Sequence, residues 1–237
     1  METTITTITT TMSELKELCG LFEVHLITKP EYETQLFGFI TDLANSRTDL
    51  IRPRPTCAHA LYGDYPVQPM LTFWTKGKIN EVRKTVNEIH SQMESRKIPI
   101  IRSKIEAMAH NEGTPLVCSD GHYFEYHFKI TNLTGTKDWD KVVKLIAPYG
   151  GHLFYNPYNK SLTPIATIRR YSNLDELDTV FIEVKKLLES NSFTIDTPEK
   201  EFSVDDSNVN LDHNWLFTGS PTNFITEVQP QMLFATS

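Results

Sequence analysis

The sequence predicts an α+β fold built from two ferredoxin-like units, each with the order strand, helix, strand, strand, helix, strand. Residues 68–107 align without a gap on residues 163–202, at a constant shift of 95 positions. Upstream of each copy a shorter match recurs at a shift of 102, where Phe22–His25 (FEVH) corresponds to Phe124–His127 (FEYH). These two repeats predict a tandem duplication with two four-stranded antiparallel sheets, each carrying its helices on one face.

The first unit spans residues 21–109, and local patterns predict its six elements. Apolar residues alternate from Leu21 to Thr28, which is typical of a half-buried strand. Pro30 suits the first turn of a helix, and the next helix has apolar residues at steps of three and four. The predicted strands are 21–28, 56–62, 69–75 and 98–107, and the predicted helices are 30–43 and 79–96.

The second unit spans residues 122–204 and repeats this order. Gly150 suits the left-handed residue after a helix, and Asn173 with Glu176 three positions later predicts a helix cap. The predicted strands are 122–130, 152–156, 164–170 and 194–204, and the predicted helices are 138–147 and 173–189.

Three segments lie outside these units. Residues 1–20 form a leader that we expect to be disordered, and its first eleven residues have neither the basic residues nor the apolar core of a targeting signal. Residues 110–121 are rich in turn formers and predict a linker. Residues 205–237 predict a strap and a tail, and the strap residues expected to pack on the body are Leu211, Trp215, Leu216 and Phe217.

A helix-free sheet face with apolar content requires cover. We therefore expect the two sheets to pack or join about a pseudo-twofold axis, with a cleft between them. Two independent units on a linker are the alternative.

Composition restricts the partners and the compartment. The 237-residue chain carries a net charge of −7, which argues against nucleic acid and anionic membranes as partners. No run approaches the about 18 apolar residues needed to span a bilayer. The three cysteines, Cys19, Cys57 and Cys118, are widely spaced and favour a reducing compartment, so a cytoplasmic location is expected.

Polar residues recur where packing does not require them. If the apolar residues of the first strand face the helices, then Glu23 and His25 face the open side of the sheet. The same parity places Glu125 and His127 on the open side of the second sheet. In a ferredoxin-like unit the first and last strands are neighbours, so carboxylates of the last strands should approach these histidines.

Histidine beside carboxylate is the material of general acid–base catalysis or of a divalent metal site. The candidate catalytic residues are His25, His127, Glu106 and Glu201. The candidate ligand-binding residues are Glu23, Glu125, Lys104, Arg169, His59 and His152. Lys104 and Arg169 would neutralise an anionic substrate, and the cofactor is left open between a divalent metal and none.

The alternative is structural. Cross-strand Glu–His and Glu–Lys pairs stabilise a wetted sheet by roughly 0.2–1 kcal/mol each. On that hypothesis the protein is a non-catalytic binding or assembly protein, and its open sheet faces serve a partner or a homo-oligomer.

Several motifs together resemble a family of duplicated hypothetical proteins from bacteria and from some eukaryotes or their viruses. The motifs are Phe22–His25, Gln68–Thr72, Lys104–Ala107, Tyr123–His127 and Asp206–Asn208 with Leu211-Asp212 and Trp215. The resemblance covers most of residues 21–216. No activity is attached to that family, so the resemblance implies none here, but it implies that residues 205–216 belong to the folded body.

Overall fold

The computed structural model describes residues 17–119, 121–133, 135–159 and 162–215. Over these ranges the fold is α+β, with eight antiparallel strands and four α-helices. The strands are β1 (Cys19–Ile27), β2 (Ile51–Ala60), β3 (Val67–Lys78), β4 (Arg102–Met108), β5 (Tyr123–Lys129), β6 (Gly151–Tyr155), β7 (Ile165–Arg170) and β8 (Glu199–Asp206). The helices are α1 (Glu33–Ser46), α2 (Ile79–Ser95), α3 (Thr136–Ile146) and α4 (Leu174–Ser190).

The eight strands form one closed barrel in the order β1-β3-β2-β6-β7-β5-β8-β4. Each half keeps the predicted ferredoxin-like order, but the prediction of two separate sheets is wrong. The edge strands pair across the halves, β2 with β6 through His59 opposite Tyr155, and β4 with β8 from Lys104 to Met108. Closure satisfies backbone groups that two open sheets would leave unpaired at their edges.

Alternation along the strands divides the barrel into an outer and an inner face. Phe22, Val24 and Leu26 of β1 are fully buried in the main apolar core, as predicted. That core includes the buried faces of α1, α2 and α4, which contribute Leu36, Phe39, Ile40, Leu43, Ile79, Val82, Val86, Ile89, Met93, Leu177, Phe181, Val184 and Leu188. The other side of each strand therefore faces the barrel interior.

The chain after β8 covers one end of the barrel. Leu211 and Trp215 are buried in a second apolar cluster with Ile27, Ala58 and Met70. Gly63, in the β2–β3 turn, has a φ of +113°, and a Cβ there would lie 2.0 Å from the Trp215 ring. Only glycine therefore lets the turn and the strap approach this closely.

The predicted leader and the predicted strap each lie only partly within the described residues. β1 begins at Cys19, so the predicted leader overlaps the first strand, and residues 1–16 lie outside the described residues. The strap residues Leu216 and Phe217 also lie outside them. No helix in the described ranges is long and apolar enough to cross a membrane.

Candidate functional site in the barrel interior

The barrel interior contains a cavity of about 690 Å³. Residues of all eight strands line it, and the strap residues Asp212 and Trp215 line its covered end. At the opposite end the lining residues Arg52, Lys129 and Glu199 are exposed. We call this opposite end the mouth.

A first chain of polar contacts crosses the first half of the barrel. β1 lies between β3 and β4, with His25 opposite Thr72 and Glu23 opposite Glu106. The His25 Nδ1 lies 2.9 Å from Thr72 Oγ1, and its Nε2 lies 3.2 Å from Glu106 Oε2. The predicted pairing of His25 with Glu106 is confirmed, and Thr72 completes a Thr–His–Glu chain.

A second chain crosses the other half in the same way. β5 lies between β7 and β8, which places His127 opposite Thr167. The His127 Nδ1 lies 2.7 Å from Thr167 Oγ1, and its Nε2 lies 3.2 Å from Glu201 Oε2 and 3.4 Å from Glu125 Oε2. The two threonines were not predicted as site residues, although they recur at the shift of 95.

Glu125 has two permanent cations as partners. Lys104 Nζ lies 2.6 Å from Glu125 Oε2, and Arg169 Nε donates to Glu125 Oε1 at 2.6 Å. Burial alone raises the pKa of Glu125, but Arg169 and Lys104 outweigh it and hold the pKa well below its usual value. Lys104 and Arg169 are therefore internal partners of Glu125, and a substrate would have to compete for them.

Lys104 also joins the two halves. Its Nζ lies 2.6 Å from Glu106 Oε1 as well. Burial lowers the pKa of Lys104, but Glu106 and Glu125 outweigh burial and hold the pKa well above its usual value. For Glu106, burial raises the pKa, and Lys104 and His25 reverse that shift to a net lowering.

A network of buried ion pairs lies at the end of the barrel that the strap covers. Arg102 donates to Asp212 at 2.7 Å and to Asp206 at 2.6 Å, and Arg169 donates to Asp212 at 2.7 Å. Tyr123 donates its hydroxyl to Asp206 at 2.6 Å. Burial raises the pKa of Asp212, but Arg169 and Arg102 outweigh it and lower the pKa to about 2.

The positive charges near Glu23 and Glu201 do not offset the effect of burial on the pKa of these two carboxyl groups. Burial, Glu201 and Glu106 raise the pKa of Glu23 well above its usual value, and its nearest cation is Arg54 at 3.8 Å. Burial and Glu106 likewise raise the pKa of Glu201 despite its contact with His127. For His127, burial lowers the pKa, but the hydrogen bonds to Glu125 and Glu201 outweigh it and hold the pKa well above normal.

The other two predicted histidines, His152 and His59, lie on opposite faces of the barrel wall. His152 lines the cavity, where burial lowers its pKa to about 4 and its Nδ1 has no hydrogen-bond partner in the described chain. His59 does not line the cavity, so its placement on the same face is wrong. It alternates with the lining residue Ala58 and points out of the barrel, with its Nδ1 3.1 Å from the Tyr155 hydroxyl.

The shift of 95 does not extend to the second strand of each unit. Thr72 pairs with Arg54, and its repeat partner Thr167 pairs with His152. The structural counterpart of His152 is therefore Arg54, and not Cys57 as the shift of 95 would give.

Three possible metal ligands meet in the interior. One ligand atom each from Glu106, His127 and Glu201 lie within 4.8 Å of one another. The three residues come from the adjacent strands β4, β5 and β8, so the cluster spans both halves of the barrel.

No family model and no curated protein matches the chain. The comparison with solved structures matches a protein of Fusobacterium nucleatum subsp. nucleatum provisionally named a monooxygenase, at 8% identity and a TM-score of 0.28 over 78% of this chain and 91% of that one. It also matches an anthrone oxidase-like protein, at 12% identity and a TM-score of 0.27 over 79% and 92%. A dye-decolorizing protein from V. cholerae matches at 8% identity and a TM-score of 0.24 over 80% and 95%. At these scores the likenesses carry no argument about the function of this chain.

Proposed function

We propose that this protein is an enzyme that acts on a small polar or anionic molecule held inside the barrel. The observation that supports it is that two Thr–His–Glu chains face one cavity. An imidazole held by a hydroxyl at Nδ1 and by a carboxylate at Nε2 is oriented for general acid–base catalysis. The side chains of His25 and His127 are 18% and 19% exposed, whereas Glu106 and Glu201 are almost fully buried. The imidazoles are therefore the groups that a bound molecule would meet, with Glu106 and Glu201 behind them.

The cavity also fits such a molecule. Its volume lies within the about 300–1,000 Å³ that is usual for small-molecule sites. Trp74 and Phe154 give the wall aromatic surface, and at the mouth the positive charges of Arg52 and Lys129 outnumber the negative charge of Glu199. This combination favours a molecule with an apolar body and a polar or anionic group.

The closed barrel weakens the assembly alternative. The sheet faces that would have served a partner chain line the interior, where another folded chain has no access. Non-catalytic binding of a small molecule is the alternative that an experiment must separate from catalysis.

Solvent hydrogen exchange tests the proposal directly. Small 2-oxo acids and aromatic hydroxy acids would be incubated with the protein in D₂O, and exchange of their carbon-bound hydrogens followed by proton NMR. We expect exchange with the unmodified protein and a loss of at least about 100-fold in the double variant His25→Gln/His127→Gln, since general acid–base groups contribute about 10²–10⁴-fold. His59→Gln is the matched control, because this barrel histidine points away from the cavity.

Thermal stabilisation by the same compounds gives a second readout. Stabilisation without exchange would identify a binding protein and contradict the catalytic proposal. Exchange that persists unchanged in the double variant would exclude His25 and His127 as the reacting groups.

A further inference from the structure

We propose that Glu106, His127 and Glu201 bind one divalent metal ion at the centre of the barrel. The inference deepens the proposed function and rests on it only in sharing the same cavity; with the ion bound, Nε2 of His127 is a ligand and the acid–base role belongs to His25. The ion would lie where strands of the two halves meet, within reach of a molecule that enters through the mouth.

The geometry is close to that of a bound ion. Nitrogen and oxygen ligands lie about 2.0–2.2 Å from a metal such as zinc, so two ligands of one tetrahedral ion are about 3.4 Å apart. The three ligand atoms here lie within 4.8 Å of one another. Side-chain shifts of about 1 Å would therefore bring them into coordination.

Glu201 supplies an independent indication. The residue is 1% exposed, and its Oε1 has no hydrogen-bond partner among the described residues. Buried carboxylate oxygens are nearly always paired, because loss of hydration without a partner is costly. A cation beside Glu201 would satisfy this oxygen.

The charge balance of the interior agrees. Arg169 is shared between Glu125 and Asp212, and Lys104 is shared between Glu125 and Glu106. Glu201 has no lysine or arginine partner in the part of the chain that is described, and Glu23 has only Arg54, at 3.8 Å. A divalent ion would offset this excess of buried carboxylates.

The surroundings of His127 and Glu106 resemble the outer contacts of metal ligands. A metal-binding histidine usually engages its second nitrogen in a hydrogen bond that fixes the ring. Thr167 holds His127 Nδ1 in this way, and the ion would replace the proton that Nε2 now shares with Glu201 and Glu125. Lys104 engages Oε1 of Glu106 and His25 approaches Oε2, and an ionised carboxylate oxygen has lone pairs for both a hydrogen bond and a metal.

The ligand types indicate the class of metal. One imidazole with two carboxylates and no thiolate suits a first-row divalent ion such as Zn²⁺ or Mn²⁺ and does not suit soft Cu⁺. The test is isothermal titration of the full-length, EDTA-stripped protein with Zn²⁺ and with Mn²⁺. It would be made on the unmodified protein and on His127→Gln, Glu201→Gln, Thr167→Val and His59→Gln.

We expect one equivalent of at least one of these ions to bind to the unmodified protein. Affinity should fall at least about 100-fold in His127→Gln and Glu201→Gln, and about 10–100-fold in Thr167→Val, which loses only the contact to the ligand. His59→Gln is the matched control, because it removes a barrel histidine that points away from the cavity and should keep the equivalent.

Three outcomes would overturn the metal site. These are no binding of either ion to the unmodified protein, binding that survives unchanged in Glu201→Gln, and equal losses in His59→Gln and His127→Gln. The hydrogen-exchange assay on the metal-free protein keeps the two proposals apart: exchange without metal binding removes only the site proposed here, and metal binding without exchange removes only the acid–base role. Circular dichroism of each metal-free variant shows whether a lost equivalent reflects a lost site or a lost fold, and Thr167→Val, which keeps all three ligands, gives a graded readout in either case.

Discussion

Glu23 and Glu125 occupy matching positions in the two halves of the barrel, yet their surroundings are opposite. Both are buried, on β1 and β5, and both stand two residues before the histidine of a Thr–His–Glu chain. Glu125 lies 2.6 Å from both Lys104 and Arg169, whereas the one lysine or arginine beside Glu23 among the described residues is Arg54, at 3.8 Å. The two halves therefore share their histidine chains and differ in how the adjacent carboxylate is neutralised.

The difference has a simple origin in the sequence. At the shift of 95, Lys104 corresponds to Glu199, and Arg169 corresponds to Trp74. Glu125 is thus surrounded by Lys104 of the first half and Arg169 of its own half, whereas the corresponding neighbours of Glu23 are Glu199 of the second half and Trp74 of its own half. One side of the cavity is held by buried ion pairs, while the other retains an underneutralised carboxylate next to the mouth.

The largest difference in stability between the two halves should appear when the charge of Glu125 and that of Glu23 are removed in separate variants. Glu125→Gln leaves Lys104 and Arg169 buried without their shared partner, and we expect a loss of about 3–5 kcal/mol in the free energy of unfolding. Glu23→Gln should change it by less than about 1 kcal/mol or stabilise the fold, because the environment of Glu23 already disfavours its charged form. Urea unfolding of both variants at pH 7 gives the comparison, and equal losses would show that the two halves do not differ in this respect.

Asp212→Asn tests the strap acid that supports Arg169. The folded pKa of Asp212 is about 2, below its usual 3.8, so its charge stabilises the fold above about pH 4 and this stabilisation disappears as the pH falls through about 2. Two pKa units correspond to about 2–3 kcal/mol at pH 7. Unfolding of the variant and the unmodified protein between pH 7 and pH 2.5 should show the difference shrinking, and a constant difference would contradict the assignment.

The threonines should behave alike in both halves. Thr72→Val and Thr167→Val each remove the hydroxyl beside a histidine Nδ1, and we expect a loss of about 1 kcal/mol from each. Nitrogen NMR of the imidazoles would report the change at Nδ1. A loss confined to one variant would mean that only one Thr–His–Glu chain is formed in solution.

The smallest effect should come from Arg54→Met at the mouth. Arg54 is 43% exposed, contacts Glu23 at 3.8 Å and lies over the Trp74 ring at 4.2 Å. Exposed contacts of this kind contribute about 1 kcal/mol or less. For Arg169→Met we expect a loss of about 3–5 kcal/mol in the free energy of unfolding. Thermal unfolding of both variants therefore compares the contribution of the exposed cation with that of the buried one.

Much of the site could be predicted because strand alternation is local. Once the apolar residues of β1 are assigned to the side that packs on the helices, Glu23 and His25 must lie on the helix-free side of the sheet, which the structure shows to be the barrel interior. The prediction for His59 was wrong because the shift of 95 relates only the third and fourth strands of each unit. It does not show which residues of β2 face the interior. Arg102 and Asp206 were missed because their partners come from distant elements, and no local pattern marks a buried ion pair.

The sequence by itself determined the order of strands and helices in each half, the faces of the main strands and the recurrence of histidine with glutamate. These properties depend on periodicity and on repeated residues, which can be read along the chain. Only the tertiary structure decided that the two sheets close into one, that the strap covers one end, and that Lys104 and Arg169 both meet Glu125. These contacts depend on edge pairing and register between elements more than 20 residues apart, where the free energy of burying charges and unpaired backbone groups selects the arrangement.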